Sequence, residues 1–385
     1  MIGSRLCSNL QAIIWSLGVV VYPYYFWASG LPQVGHLLLL LAACISIPCA
    51  MRAWILGFPV RLKKVLFFLA LFVFYALVVS IVWAVIEGEP LRVIHPVFYI
   101  YNLFVVLGVF AFYVNERERA LAVLAYGALI SVFGAVSFFS ILGVGDAARA
   151  TYGFNNPNQL SYYGLSSAVI IAATWYYGFI GRFWAIVGLL LSIFIISVSL
   201  SSAALLAAAL VFIPFLMRGR GWFALFVFLP VLFAAALSVP DVVDNVSSRL
   251  SQVGNDSDDS LEGRGFDRIW VYPEYLIFGA GEGELSSRTF YVPDEHVFVG
   301  ELHSTWGSLF FGYGAVGLVL TIAWVFSTIR AIGLVGSMFL LPFVAYGLAH
   351  MGFRFSFMWL AFSIVLLSAS AAVHLKKRDS HLVCN

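Results

Sequence analysis

Charge is what this chain has least of. Only 10% of its 385 residues are Asp, Glu, Lys or Arg, against 62% hydrophobic. A soluble domain carries about 25% charged residues, so a single water-exposed globule is excluded. Cysteine is scarce as well. Cys7, Cys44, Cys49 and Cys384 leave the one long polar stretch without any, so no disulfide framework is implied. No CxxC pair offers a metal site. The acidic run "NDSDDSLEG" from Asn255 lacks the glycine and the twelfth-position glutamate of an EF-hand loop, which makes calcium a weak reading. The net charge of +2 says little, since its distribution matters more, and no nucleic acid is expected.

Apolar runs of bilayer-crossing length fill the rest. They predict an all-α polytopic membrane protein with about 12 transmembrane helices, near 10–29, 34–51, 64–86, 93–114, 120–143, 158–178, 182–200, 203–217, 221–238, 304–328, 331–350 and 354–374. The expected organisation is 1–238 with nine helices, 239–303 as one long periplasmic loop, and 304–385 with three helices and a basic tail. Arg5 followed by an apolar run reads as a retained signal anchor.

Basic residues set the orientation. With both termini cytoplasmic, the inner connectors hold 14 of the 21 Lys and Arg residues, including Arg61, Lys63, Lys64, Arg117, Arg119, Arg182, Arg218 and Arg330. Of the 19 acidic residues only Glu116, Glu118 and Asp379 join them. This is the positive-inside pattern. It places the long loop and an unusually polar connector, "TYGFNNPNQLSYYGLSS" from Thr151, on the outer face.

That connector has a local explanation. Asn156 suits an N-cap, Pro157 the first helical position, and Gln159 completes a capping box. Asn155 and Asn158 are in excess of what one cap needs, and a helix N-terminus favours an anion, with Arg149 seven residues upstream of Asn156. The small residues of "SVSLSSAALLAAA" from Ser197 are expected chiefly to let helices pack closely.

In the long loop, Arg264 and Arg268 are spaced i,i+4 and would share a helix face as a fork for phosphate oxygens, unless the neighbouring acids take them. Arg249 and Arg288 are further cations there, and the glycines of "FGAGEGEL" allow a tight turn. His303 precedes the tenth span, with Trp306 on the same face, and Gly312, Gly314 and Gly317 predict close helix packing. A histidine there is either simply hydrated or a general base. His350 and Arg354 stand at the last outer junction, where snorkelling explains the arginine equally well.

In order and spacing, "RATYGFNNPN" from Arg149, "SLSSAAL" from Ser199, "GRGFDRIW" from Gly263, "FGAGEGEL" from Phe278 and "LHSTWGSLFFGYGAVGL" from Leu302 resemble the bacterial O-antigen polymerase and O-antigen ligase superfamily. The resemblance covers a little under half of the chain. Ser202 stands where the family often has Arg, and Ser304 where it often has Asn after the histidine.

The resemblance implies a C-type membrane glycosyltransferase fold in the bacterial inner membrane, with its site facing the periplasm and no cofactor or metal. The implied reaction is transfer of glycan from an undecaprenyl diphosphate-linked donor to a glycan or lipid acceptor. Membrane lipids and a chain-length regulator are the further partners expected. In this reading His303 is the base, and Arg264 and Arg268 stabilise the diphosphate with help from Arg149, Arg249 or Arg288. Asn155, Asn158, Gln159 and Trp306 contact sugar. The polymerase reading leads, with ligase and lipid-linked glycan flippase as alternatives. Against the flippase, the long loop lies asymmetrically and no paired halves are evident.

Overall fold

The computed structural model describes residues 2–27, 31–57, 59–94, 96–142, 151, 153–154, 156–199, 201–218, 266, 268–281 and 302–383. The described residues form helices and connectors with no strand. The α-helices are α1 (Ile2–Val21), α2 (Val34–Gly57), α3 (Val60–Glu87), α4 (Val97–Glu116), α5 (Glu118–Leu142), α6 (Pro157–Tyr176) and α7 (Arg182–Val198). They continue as α8 (Ser202–Leu210), α9 (Ile213–Met217), α10 (Arg268–Val271), α11 (Thr305–Met338), α12 (Leu341–Ala349) and α13 (Ser356–Val383). Helices α3, α4, α5, α11 and α13 each contain a stretch long and apolar enough to cross a membrane. That is the make-up of a membrane-embedded protein.

The helices differ in what they face. The apolar window of α13 is 83% buried, against 44–56% in the other four, so α13 runs through the middle of the bundle. It packs on α6 and α4. Helix α6 is buried without interruption from Leu160 to Thr174, the mark of a helix enclosed on all sides. By contrast, α3 exposes Phe67, Phe74, Val78, Ile81, Val82, Val85 and Ile86 in a helical stripe. In a bilayer that stripe faces acyl chains.

Two expected spans are built differently. The stretch 203–217 divides into α8 and α9, because Pro214 has no N–H to continue the ladder. The span that starts at 304 breaks at Gly314, and the expected turn after it falls at Gly333, where the path of α11 is again non-helical. Both glycines have left-handed φ, and the nine-residue α12 follows from Leu341 with Pro342 in its first turn. The expected span 221–238 lies outside the described residues, as do most of 239–303.

Tertiary contacts sort the connectors into two ends. At one end, Tyr22 accepts a hydrogen bond from the Phe357 N–H, Tyr25 packs on Phe154, and the Thr305 N–H reaches the His350 carbonyl. At the other, Arg119 reaches Ser8 and Asn9, Gln11 meets Asn115, and Tyr177 packs on Phe339. These are called below the His303 end and the Arg119 end.

Candidate functional site

At the His303 end, the start of α6 has the predicted cap. The Asn156 side chain accepts from the Gln159 N–H at 2.9 Å, and Pro157 occupies the first helical position. Two residues on, the Asn158 carbonyl accepts from the Tyr346 hydroxyl at 3.4 Å. The α6 entrance is therefore tied to α12 by backbone, while the Asn158 and Gln159 side chains are half-buried.

The serine junction between α7 and α8 joins the same knot. Buried Ser199 shares a hydrogen bond with Ser161 at 2.5 Å, one turn into α6. Buried Ser201 meets the Tyr346 hydroxyl at 3.3 Å. The small residues do more than thin the helices: their hydroxyls join three helix ends.

His303 sits on a rigid base. Its neighbours Leu302 and Ser304 are buried, whereas His303 is exposed. Ser304 caps α11 by accepting from the Gly307 N–H, and its hydroxyl lies 3.2 Å from the Gly347 carbonyl. The Ser308 hydroxyl donates back to the Leu302 carbonyl at 3.0 Å. The main chain on both sides of His303 is held, and the imidazole is presented outward.

Thr305 then locks α11 to the end of α12. The His350 carbonyl accepts from the Thr305 hydroxyl at 2.9 Å, the Thr305 N–H at 3.2 Å and the Tyr162 hydroxyl at 3.0 Å. The Thr305 oxygen in turn accepts from the Gly352 N–H at 2.9 Å. Residues Tyr162, Thr305, Tyr346 and His350 thus form the centre of the knot. Only His350 stood out in the sequence, and it serves here through its carbonyl. Its ring lies 4.9 Å from that of Tyr346. Trp306 is half-buried, and its indole N–H is committed to the Val344 carbonyl at 3.0 Å, so it braces α11 against α12. The Arg354 carbonyl accepts from Asn102 of α4.

The motif "GRGFDRIW" arrives beside His303 through its phenylalanine. The Phe266 ring packs where a side chain on Gly307 would stand, next to Leu302. Helix α10 begins at Arg268, two residues further on. The Phe266 ring of this motif thus stands at the first turn of α11. Arg149, Asn155, Arg249, Arg264 and Arg288 lie outside the described residues, as does the side chain of Arg268. So does the acidic run from Asn255. Among the described residues no three His, Cys, Asp or Glu side chains gather as metal ligands.

The glycines at 279–281 have a role that no local pattern announces. In an unbroken helix the N–H groups of Ala315 and Val316 would bond the carbonyls of Phe311 and Gly312. Here the break at Gly314 opens those two bonds, and the segment 276–281 fills all four places. Ala280 and Gly281 donate to the Phe311 and Gly312 carbonyls at 3.0 and 2.9 Å, while Ala315 and Val316 donate to the carbonyls of Leu276 and Ile277 at 2.7 and 3.3 Å. Tyr75 and Trp83 of α3 then bond the Phe278 and Gly279 carbonyls at 2.8 and 2.9 Å. A Cβ on Gly279 or Gly314 would overlap the opposing backbone, and both have positive φ. Only glycine allows this approach.

No protein-family model matches the chain, and a search of curated proteins finds no significant match.

Proposed function

We propose that the chain is a membrane glycosyltransferase that polymerises lipid-linked oligosaccharide units into a surface polysaccharide, using an undecaprenyl diphosphate-linked donor. The observation that carries this reading is a juxtaposition. An exposed His303 on a fixed main chain stands one helical turn from Gly307, on which Phe266 of the arginine motif is seated. The capped entrance of α6 and the serine junction belong to the same end. The His303 end would face the periplasm, with twelve spans, both termini in the cytoplasm of a bacterial inner membrane, and a long loop over the site.

In this reaction the acceptor hydroxyl attacks the anomeric carbon of the donor sugar. The new glycosidic C–O bond forms as the C–O bond to diphosphate breaks, and undecaprenyl diphosphate departs with the electron pair. His303 takes the hydroxyl proton. Arg264 and Arg268, aided by Arg149, Arg249 or Arg288, stabilise the charge growing on the diphosphate. Asn155, Asn158, Gln159 and the face of Trp306 would orient sugar. The resemblance of the motifs to O-antigen polymerases and ligases supports the same chemistry.

The test is purified protein in vesicles with an undecaprenyl diphosphate-linked oligosaccharide, the product being read as a ladder on a gel. His303→Ala should lower the rate by roughly 10²–10⁴-fold with normal membrane levels, the usual worth of a general base. Arg264→Ala or Arg268→Ala should weaken donor use, at least one of them severely. Full activity in the histidine variant would remove it as the base. A deletion strain separates the alternatives: single-unit surface chains mean a polymerase, long chains left on the carrier a ligase, and units trapped inside a flippase.

A further inference from the structure

We infer that Ile269–Phe278 is a re-entrant membrane segment, dipping into the leaflet at the His303 end with Ile277 and Phe278 among lipid acyl chains. The inference rests on the helical membrane bundle and is independent of glycan transfer.

Three observations converge. The first is exposure. Ile277 and Phe278 are 60% and 66% exposed, although they belong to a segment held by backbone bonds on both sides. Trp270 and Val271, at the start of the segment, are exposed as well. In water, four such side chains on one short segment would be an unfavourable apolar patch.

The second is backbone satisfaction. From Leu276 to Gly279 every carbonyl accepts a hydrogen bond from α11 or α3, and the N–H groups of Gly279, Ala280 and Gly281 are all used. An aqueous loop has no need of this, since water serves its polar groups. A non-helical backbone at membrane depth survives only when protein satisfies it. The break in α11 supplies partners for the Leu276 and Ile277 carbonyls and for the Ala280 and Gly281 N–H groups, while the Ile277 and Phe278 N–H groups have none among the described residues.

The third is depth. Along α11 from Arg330, whose guanidinium folds back 5.5 Å over the Phe326 ring, Val316 is 14 residues toward the His303 end. At 1.5 Å per residue this is about 21 Å, inside a hydrocarbon core of about 30 Å. The Ile277 carbonyl is bonded to the Val316 N–H, so the segment tip shares that level. On α3 the partner Tyr75 lies twelve residues below the last helical residue, Glu87. The two helices that hold the tip also expose apolar side chains, Val78, Ile81, Val82 and Val85 on α3 and Val319 and Ile322 on α11. Trp270 then falls toward the interface, where tryptophan is favoured. Glu274 is exposed on the short 3-10 turn Pro273–Tyr275, three residues before Ile277, and its carboxylate would have to reach the headgroups.

Spin labelling tests this in vesicles of phosphatidylethanolamine and phosphatidylglycerol. After Cys7, Cys44, Cys49 and Cys384 are changed to Ser, nitroxides are placed by Ile277→Cys and Phe278→Cys, with Val319→Cys as lipid reference and Glu89→Cys as water reference. The expected result is relaxation by oxygen and loss of relaxation by a water-soluble nickel chelate at 277 and 278, matching 319. Nickel access equal to that at 89, or access by neither collider, overturns the inference. A second measurement uses the unaltered chain: a lipid with a diazirine near the end of its acyl chain should label the peptide containing 277 and 278. Labelling confined to α3, α11 and other helices would overturn it equally.

Discussion

The two ends of the bundle are held by different mixtures of contacts. At the His303 end, helix termini are joined by hydrogen bonds through Thr305, Tyr162, Tyr346, Ser199 and the 276–281 segment. At the Arg119 end, hydrogen bonds of Arg119 to Ser8 and Asn9 and of Asn115 to Gln11 are joined by rings and cations. Phe339 packs among Tyr176, Tyr177 and Phe215, and the Arg218 guanidinium lies 4.7 Å over Tyr176. Aromatic contacts tolerate small shifts, whereas a hydrogen bond loses its energy within a few tenths of an ångström or a few tens of degrees. The difference teaches where geometry is fixed and where it is only compact. The fixed end is the one that bears His303.

Two glycines of α11 allow the sharpest comparison. Gly314 and Gly333 both have conformations that other residues rarely adopt, φ 62 and ψ −166 against φ 73 and ψ 173. Gly314 faces the backbone of Ile277 and Gly279, while Gly333 has open space around it. Gly314→Ala should therefore cost backbone strain and steric overlap together, about 4 kcal/mol, and Gly333→Ala only the strain, about 1–3 kcal/mol. Thermal unfolding in detergent measures both, and equal losses would mean that the inserted segment does not press on Gly314.

Thr305→Val keeps the shape and removes the hydroxyl that joins the His350 carbonyl to the Gly352 N–H. A loss of about 1–2 kcal/mol is expected. Asn156→Ala should remove the cap and about 1 kcal/mol. At the other end, Arg119→Ala removes a half-exposed ion pair with Glu116 at 3.2 Å and hydrogen bonds to Ser8 and Asn9, and should cost about 0.5–1 kcal/mol. A cost at Arg119 larger than at Thr305 would reverse the contrast between the ends.

The local part of the design was legible. Helices follow from apolar runs, and the α6 start follows from Asn156 and Pro157, because a cap and its target lie within one turn. Part of the candidate site was legible for the same reason, as polar residues at helix entrances stand out in a greasy chain. What escaped was non-local. "GYGAVG" reads as a surface for close helix packing, yet Gly314 breaks the helix to admit a segment whose sequence lies more than 30 residues away. Tyr162 and Tyr346 look like ordinary apolar-face aromatics until their hydroxyls are seen to end on carbonyls of other helices.

The sequence by itself determined that the chain is helical and rich in membrane-length apolar segments, because those properties are sums over neighbouring residues. Only the tertiary structure decided that 276–281 completes the hydrogen bonds of α11, and that Phe266 packs on Gly307, one turn from His303. A broken helix leaves four polar groups to satisfy, and their partners are chosen by what folds against them, not by what adjoins them in the chain.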